Sequence, residues 1–267
     1  MGFVSIVSLL VIGALSGFLA GLFGAAGAVI LVPALLYYLQ GSGVTSLVGM
    51  YLTLGTSLLV LAVMSAVEAR PYHRNNQIVW RDVWLLGGMG VVGAVLGTTG
   101  AVQLEAKTLQ RLFGVVLILA TLRLFVETRK PKGEVSGLKK QIGLLAGGLV
   151  VGAVTPFAAT GAGLVSFPLL YRYLHFPWKK ALGTSHAALV MTAFFSAASF
   201  AVLGRTNILL PEFTFGYVAY LHAVPLAIGV IPLLMLGSSL AERWKLSTAR
   251  KVYAVALLIG ATRMLLL

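Results

Sequence analysis

The stretch GFLAGLFGAAGAVILVP, residues 17–33, decides the fold, and GLVVGAVTPFAATGAGLVSFP, residues 148–168, repeats its organisation in the second half. In both stretches an apolar helix runs into a break of small residues, and a second apolar helix follows at once. A broken backbone is costly in lipid, because the freed N–H and C=O groups find no water partner. Paired breaks at corresponding places in two halves indicate the binding site of a transporter.

The composition is that of an integral membrane protein with many helical spans. Hydrophobic residues make up 59% of the chain and charged residues 10%, against about 45–50% and about 25% in soluble domains. The absence of cysteine excludes disulfides and thiolate metal sites. We attribute the net charge of +13 to cytoplasmic loops rather than to nucleic-acid binding. Residues 3–22 are predicted to be the first span, not a signal peptide.

The apolar segments predict an all-α polytopic membrane protein. We place ten segments at 3–22, 28–40, 45–67, 83–103, 108–127, 141–156, 161–174, 181–203, 213–240 and 247–267. Segments 28–40 and 161–174 are short for a full span, which needs about 20 residues. The predicted fold therefore has eight full spans plus two short segments. It is divided into an N-terminal repeat at 1–127, a cytoplasmic linker at 128–140 and a C-terminal repeat at 141–267.

Matching residues and short elements occur in the same order in both halves, which indicates an internal repeat. Each half carries a proline after its break and a Gly-Thr-Ser element in the next segment, at residues 55–57 and 183–185. Small residues and basic residues follow in both halves at matching places. The matched pairs are Pro33 and Pro168, Gly97 and Gly237, Ala101 and Ala241, Arg111 and Lys251, and Arg123 and Arg263.

The loop charges predict the orientation in the membrane. Fifteen of the 20 lysines and arginines fall within residues 70–81, 129–140, 172–180 and 243–251, which ten crossings place on one side. The positive-inside rule makes that side cytoplasmic and puts both termini outside. Each half has five segments, an odd number, so the two repeats must be inverted relative to each other in the membrane.

The two breaks are the first candidate for substrate binding. The short helices begin there, so their first N–H groups lack helical partners and carry partial positive charge, which suits an anion. The alternative is close helix–helix packing by small residues, which we predict for Gly13, Gly17, Gly21, Gly93, Gly97, Gly143 and Gly147. The candidate residues of the breaks are Ala25, Ala26, Gly27, Ala28, Thr160, Gly161, Ala162 and Gly163.

Hydroxyl side chains within apolar segments form the second candidate. Thr56 and Ser57 in the first half, and Thr184 and Ser185 in the second, could complete the shell of a bound anion. The alternative is hydrogen bonding to the helix carbonyl one turn earlier, which is common in membrane helices.

Two histidines lie within apolar segments, and ionisable residues there are functional hypotheses by default. His186 follows Ser185 directly and could carry a proton or pair with an anion, because histidine changes charge near neutral pH. The alternative for His186, and the favoured interpretation of His222, is a neutral contact with a neighbouring helix.

Other chemistry has little support in the sequence. No acid-rich or histidine-rich ligand set and no phosphate-binding loop is present, so we expect no metal, no other cofactor and no ATP-driven pumping by this chain. No nucleophile–base pair is evident, so we expect no enzyme activity and no catalytic residues. Arg123 and Arg263 are interpreted as snorkelling to the headgroups, and Glu68, Glu127 and Glu212 as interfacial.

At these residues the chain resembles the sulfite exporter TauE/SafE family, whose halves each carry a Gly-rich break, a following proline and a Gly-Thr-Ser-like element. Here the breaks are Ala26-Gly27-Ala28 before Pro33 and Gly161-Ala162-Gly163 before Pro168, with alanine replacing glycine in both. The stretch from His73 to Asp82, which includes Ile78-Val79-Trp80-Arg81-Asp82, also looks like the family's loop before the fourth segment.

The resemblance implies a secondary transporter, exporter or importer, in the bacterial inner membrane. Its expected substrate is a small anion, a sulfur oxyanion or organosulfonate such as sulfite or sulfoacetate, moved by alternating access around the two breaks. The alternative function is a passive anion channel. The expected partners are the anionic substrate and the lipid bilayer, with no nucleic acid. The sequence leaves proton or ion coupling and a homo-oligomer open.

The predicted orientation can be tested on this cysteine-free chain by introducing single cysteines. Val135→Cys, in the predicted cytoplasmic linker, should be protected from a membrane-impermeant thiol reagent in sealed cells and should react after permeabilisation. Rapid labelling of position 135 in sealed cells would reverse the orientation.

Overall fold

The structure, a computed structural model, describes residues 3–23, 30–125, 135, 137–159, 165–205, 207–211, 214–241 and 247–266. This part of the chain is all-helical and contains no β-strand, although Phe215 and Val218 form an isolated antiparallel bridge. The predicted all-α class is therefore confirmed.

Within the described residues, ten helices follow the order of the ten predicted segments. In the first half they are α1 Phe3–Phe23, α2 Leu31–Gly41, α3 Ser46–Arg74, α4 Trp80–Gln103 and α5 Ala106–Phe125. In the second half α6 is Gly137–Ala158, and α7 begins as Ser166–Pro168 and continues as the π-helical stretch Leu169–Tyr173. The last three are α8 Trp178–Leu203, α9 Tyr220–Ala241 and α10 Ser247–Leu266.

Six of these helices, within the described residues, are long and apolar enough to cross a membrane: α1, α3, α4, α6, α8 and α9. The chain is therefore a multi-pass membrane protein. Helix α2 has 11 residues, which at 1.5 Å per residue cover roughly half of a 30 Å hydrocarbon core. Large apolar side chains such as Leu15, Leu96 and Ile259 are exposed on the outside of the bundle, where lipid would contact them.

Helices α3 and α8 pack against each other at the centre of the molecule. Most residues of α3 are buried inside the protein. Near one end of the pair Gly55 lies against Phe200, and near the other end Gly183 lies against Tyr72. Because residue numbers rise along one helix as they fall along the other, α3 and α8 are antiparallel.

Glycines allow the backbones of α1 and α9 to touch. A Cβ added at Gly13, Gly17 or Gly21 would overlap the backbone of Leu226, Val230 or Leu234, respectively. The contacts advance in the same direction on both helices, so α1 and α9 are parallel. Such close approach through small residues is typical of helix association in membranes.

Helices α4 and α6 meet in the same way. A Cβ at Gly93 would overlap the backbone of Leu149, and one at Gly97 would overlap the backbone of Ala153. These two helices are also parallel. Gly143 and Gly147 of α6 instead lie against leucine side chains of the α7 region. The packing role predicted for all of these glycines is confirmed.

The α4–α6 crossing should be sensitive to a single side chain. Gly93→Val forces the two backbones apart and should lower stability by about 1–3 kcal/mol or more, seen as a lower melting temperature in detergent. Gly88→Val is the matched control on the same helix, because a Cβ at Gly88 meets nothing within 4 Å. Equal melting temperatures for the two variants would contradict the packing described here.

Candidate substrate-binding site

The structure describes five of the thirteen residues predicted to bind substrate. Thr56 and Ser57 lie on α3, Thr184, Ser185 and His186 lie on α8, and all five are buried. The other eight predicted residues belong to the two breaks and lie outside the described residues, so their role stays a prediction. They are Ala25, Ala26, Gly27, Ala28, Thr160, Gly161, Ala162 and Gly163.

The two threonines of the Gly-Thr-Ser elements hold the backbone of the opposite half of the chain. Thr56 Oγ1 donates to the carbonyl of Leu52 at 2.6 Å and accepts from the N–H of Ala219, just before α9, at 2.9 Å. Thr184 Oγ1 accepts from the N–H of Val79, just before α4, at 3.2 Å. Donors at a helix start have no helical acceptor. Each threonine thus satisfies one such donor.

The glycine before each threonine makes room for this contact. A Cβ at Gly55 would overlap the carbonyl of Tyr217, two residues before Ala219. A Cβ at Gly183 would press on Tyr72 and would lie 3.0 Å from the carbonyl oxygen of Gln77, two residues before Val79. The Gly-Thr pair is therefore a docking position for the segment that leads into a helix of the other half. Sequence reasoning missed this role.

The serines of the two elements are different from the threonines. Ser57 is 1% exposed and Ser185 is fully buried. Neither Oγ has a hydrogen-bond partner among the described residues. A buried hydroxyl without a partner costs about 1–3 kcal/mol, so such groups call for an explanation, and ligand binding is one. Ser65 on α3 and Ser196 on α8 are likewise buried without a partner among the described residues, and we select Ser57 and Ser185 because they belong to the repeated elements.

The two elements lie at opposite ends of the α3–α8 pair. Gly55 is level with Phe200 on α8, whereas Gly183 is level with Tyr72 on α3. Residues 55 and 72 of α3 are separated by about 25 Å along the helix at 1.5 Å per residue. One small anion therefore does not touch both elements at once. The sequence did not reveal this separation of the predicted hydroxyl ligands.

His186 contacts a carboxylate that the sequence analysis placed at the interface. Its Nδ1 lies 3.1 Å from Oε2 of Glu68 on α3, and the two side chains are 9% and 18% exposed. The groups are not aligned as a regular hydrogen bond. The Tyr72 ring stacks on the imidazole with centroids 6.2 Å apart. The sequence did not predict this contact of Glu68 with a residue of α8, and the interfacial interpretation of Glu68 stays a prediction.

A simple spacing could have identified Glu68. It follows Ser57 by eleven residues, which is three helical turns, so both side chains share one face of α3. Since Glu68 on that face contacts α8, the face is directed toward the interior.

Two further side chains considered in the sequence, His222 and Arg263, contact aromatic rings of α2. His222 on α9 packs edge-on against Tyr38 of α2, with ring centroids 5.9 Å apart, in line with the favoured interpretation of a helix contact. The guanidinium of Arg263 lies 4.7 Å from the centre of the Tyr37 ring. The described residues include no group of three histidine, aspartate or glutamate side chains arranged to hold a metal ion.

Comparison with known proteins gives one family and several relatives. The model of the family described as sulfite exporter TauE/SafE matches residues 9–264. A probable membrane transporter protein of Haemophilus influenzae is 29% identical over 267 residues, covering 99% of both chains. A probable membrane transporter protein of Methanocaldococcus jannaschii is 23% identical over 224 residues, covering 84% of this chain and 81% of its own. No solved structure matches the chain.

Removal of the hydroxyl should lower the stability of the protein at the threonines but not at the serines. Thr56→Val and Thr184→Val leave a buried N–H unsatisfied and should each lower stability by about 1–3 kcal/mol. Ser57→Ala and Ser185→Ala remove hydroxyls without a partner and should leave the melting temperature unchanged or raise it. A clear loss of stability in the serine variants would show that their hydroxyls have structural partners.

Proposed function

The chain belongs to the sulfite exporter TauE/SafE family, and from this premise we propose that it is a secondary transporter of a small anion. The substrate class we propose is a sulfur oxyanion or an organosulfonate such as sulfite or sulfoacetate. The observation that carries the site is the pair of buried hydroxyls of Ser57 and Ser185 in the repeated elements, neither of which has a hydrogen-bond partner in the described part of the chain. Polar groups inside a membrane bundle are expensive, and where they occur they mark substrate pathways. The family and the relatives are transporters, so we propose no enzyme activity.

The helix directions support an inverted repeat. Helix α3 corresponds to α8, and the two are antiparallel. Helix α5 corresponds to α10, and there Gln110 donates to the carbonyl of Met264 at 3.4 Å while Gly114 lies beside Ala261, so this pair is antiparallel too. Corresponding helices run in opposite directions when two repeats are inverted in the membrane.

The packing partners support the same relationship. If α1–α5 are matched in order with α6–α10, the crossing of α1 with α9 corresponds to the crossing of α6 with α4. Both crossings are built on glycine contacts. The Thr56–Ala219 contact becomes the Thr184–Val79 contact in the same way. We add α5 and α10, with 20 residues each, to the six apolar spans. At 1.5 Å per residue they also match the membrane core, which gives eight full spans plus the short α2 and α7.

We propose two anion positions related by this inverted repeat. Ser57 and Ser185 each lie two residues beyond their glycine toward the centre of the α3–α8 pair, which leaves about 20 Å between them along the helices. In our proposal each position serves one side of the membrane, with the N–H groups of the neighbouring break completing the anion's shell. Rocking of the halves at the α1–α9 and α4–α6 crossings alternates access. The membrane is the bacterial inner membrane, with both termini outside.

Purified protein in proteoliposomes tests the function directly. Uptake of labelled sulfite, sulfate, thiosulfate, sulfoacetate, taurine and acetate is measured, together with exchange against unlabelled anion on the opposite side. A transporter shows counter-transport of at least one sulfur anion, whereas a passive channel shows weakly saturating flux without it. Absence of protein-dependent flux for the whole panel would overturn the proposal.

The serine hydroxyls are tested in the same assay. Ser57→Ala and Ser185→Ala should each reduce anion uptake at least about tenfold, which corresponds to about 1.4 kcal/mol of lost interaction. Ser199→Ala is the control, since its hydroxyl bonds the carbonyl of Phe195 on its own helix at 2.8 Å. Normal uptake by both serine variants would remove Ser57 and Ser185 from the site.

The breaks are tested by adding bulk. If their N–H groups reach the anion, Gly27→Val and Gly161→Val should abolish uptake while folded protein still accumulates in the membrane, because a branched side chain blocks close approach. Loss of folded protein in parallel with loss of uptake would instead support a packing role for the breaks.

A further inference from the structure

Glu68 and His186 form a contact between a carboxylate and an imidazole that the anion site does not require. Their nitrogen and oxygen lie 3.1 Å apart between the two central helices, and Ser185 is the residue next to His186. We propose that these two side chains together carry the proton that couples anion movement to the proton gradient. This inference rests on the proposed transport of an anion at Ser185.

The pair has titratable neighbours on its own helices and on the helices packed against them. His186 contacts Glu68 and the ring of Tyr72 on α3. Asp82 of α4 and Lys140 of α6 form an ion pair with each other at 2.6 Å. The further charged or titratable side chains on these helices, within the described residues, are Tyr37 and Tyr38 on α2, Tyr51, Arg70, His73 and Arg74 on α3, Arg81 on α4, Lys107 and Arg111 on α5, Lys139 on α6, Tyr171, Arg172 and Tyr173 on α7, Lys179 and Lys180 on α8, and Tyr220 and His222 on α9.

The charge of this pair depends on a single proton. With the proton present, either on His186 or on Glu68, the pair has no net charge and an anion at Ser185 experiences no net repulsion. Without it, an ionised Glu68 faces a neutral imidazole and repels the anion. Charges a few ångströms apart interact far more strongly in a protein interior than in water. Anion and proton therefore bind together and leave together, and only the N–H or O–H bond that holds the proton is made and broken.

The pair breaks the symmetry of the repeat. Counting from the matched serines, the first-half counterpart of His186 is Leu58, and the second-half counterpart of Glu68 is Ser196. Both counterparts are buried, as His186 is. A requirement of the shared packing would act on both copies, whereas the ionisable groups occur at one anion position only. Coupling through one position is sufficient, because every transported anion passes both positions in one cycle.

Proton exchange with one compartment is also available to the pair. Glu68 is 18% exposed at its side chain and lies six residues before Arg74, the last residue of α3. This end of α3 carries Arg70 and Arg74, which the loop charges place on the cytoplasmic side. We therefore assign the pair to the cytoplasmic half of the membrane, where it exchanges its proton with the cytoplasm.

The experiment uses proteoliposomes and anions whose own charge does not change. Sulfoacetate, thiosulfate and sulfate stay fully ionised between pH 6 and pH 8, so a pH effect on their movement comes from the protein. Wild-type uptake is measured with and without an imposed pH gradient, and a pH-sensitive dye inside the vesicles reports proton movement. The wild type should respond to the gradient at least about tenfold and should move protons when the anion moves.

Glu68→Gln and His186→Gln should each retain anion exchange at equal pH on both sides while losing the gradient response and the proton signal. His222→Gln, on α9, and Glu105→Gln, between α4 and α5, are the matched controls and should behave as the wild type. Melting temperatures show that each variant is folded. If a variant of the pair is unfolded, Glu68→Asn and His186→Asn, which also lack an ionisable group, are measured in its place.

Two results would overturn the inference while leaving anion transport intact. One is wild-type flux that ignores the gradient, and the other is a gradient response in Glu68→Gln or His186→Gln equal to that of the wild type. Absence of flux for every anion in the wild type would overturn the proposed function itself and the coupling that rests on it. In the first two cases Glu68 and His186 would be a structural contact between α3 and α8.

Discussion

In lipid, a backbone N–H at a helix start has no water to bind, and this constraint explains the repeated Gly-Thr pair. Thr56 accepts from Ala219, and Thr184 accepts from Val79, so each half of the chain satisfies a donor at the start of a helix in the other half. Gly55 and Gly183 allow the close approach that these contacts need. The two halves are therefore joined by hydrogen bonds between backbone N–H groups and threonine side chains as well as by apolar packing, and neither half satisfies these donors alone.

Within each Gly-Thr-Ser element the structure separates scaffold from site. The threonine is occupied by the backbone of the opposite half, whereas the serine beside it is buried with no partner in the described part of the chain. Helical geometry causes the difference, because consecutive side chains are about 100° apart around the axis and face different neighbours. One short element thus fixes the fold with one side chain and, in the proposed function, offers a hydroxyl to the anion with the next. That arrangement ties the position of the site to the correct assembly of both halves.

Much of the fold could be predicted from the sequence, because membrane insertion requires long apolar helices that are visible as such. The ten segments, the short second segment and the packing glycines followed from composition and spacing. The 25 Å separation of the two Gly-Thr-Ser elements did not, since it depends on the register of α3 against α8. The contact between Glu68 and His186 was not predicted, for a related reason. A carboxylate near a segment end is usually interfacial, and only the length of α3, which continues to Arg74, brings this one between helices.

A symmetric scaffold and an asymmetric charge are complementary requirements for a coupled transporter. Under the proposed alternating access, the related crossings at α1–α9 and α4–α6 would give the outward and inward arrangements similar packing, so that neither is strongly favoured over the other. Direction must then come from a group that responds to the gradient, and two equivalent groups on opposite sides would bind protons from both compartments. Glu68 and His186 occur once, beside Ser185. The position of the first half that matches His186 holds the apolar Leu58. The asymmetry therefore lies where a gradient would have to act, while the glycine and threonine contacts that hold the halves together remain paired.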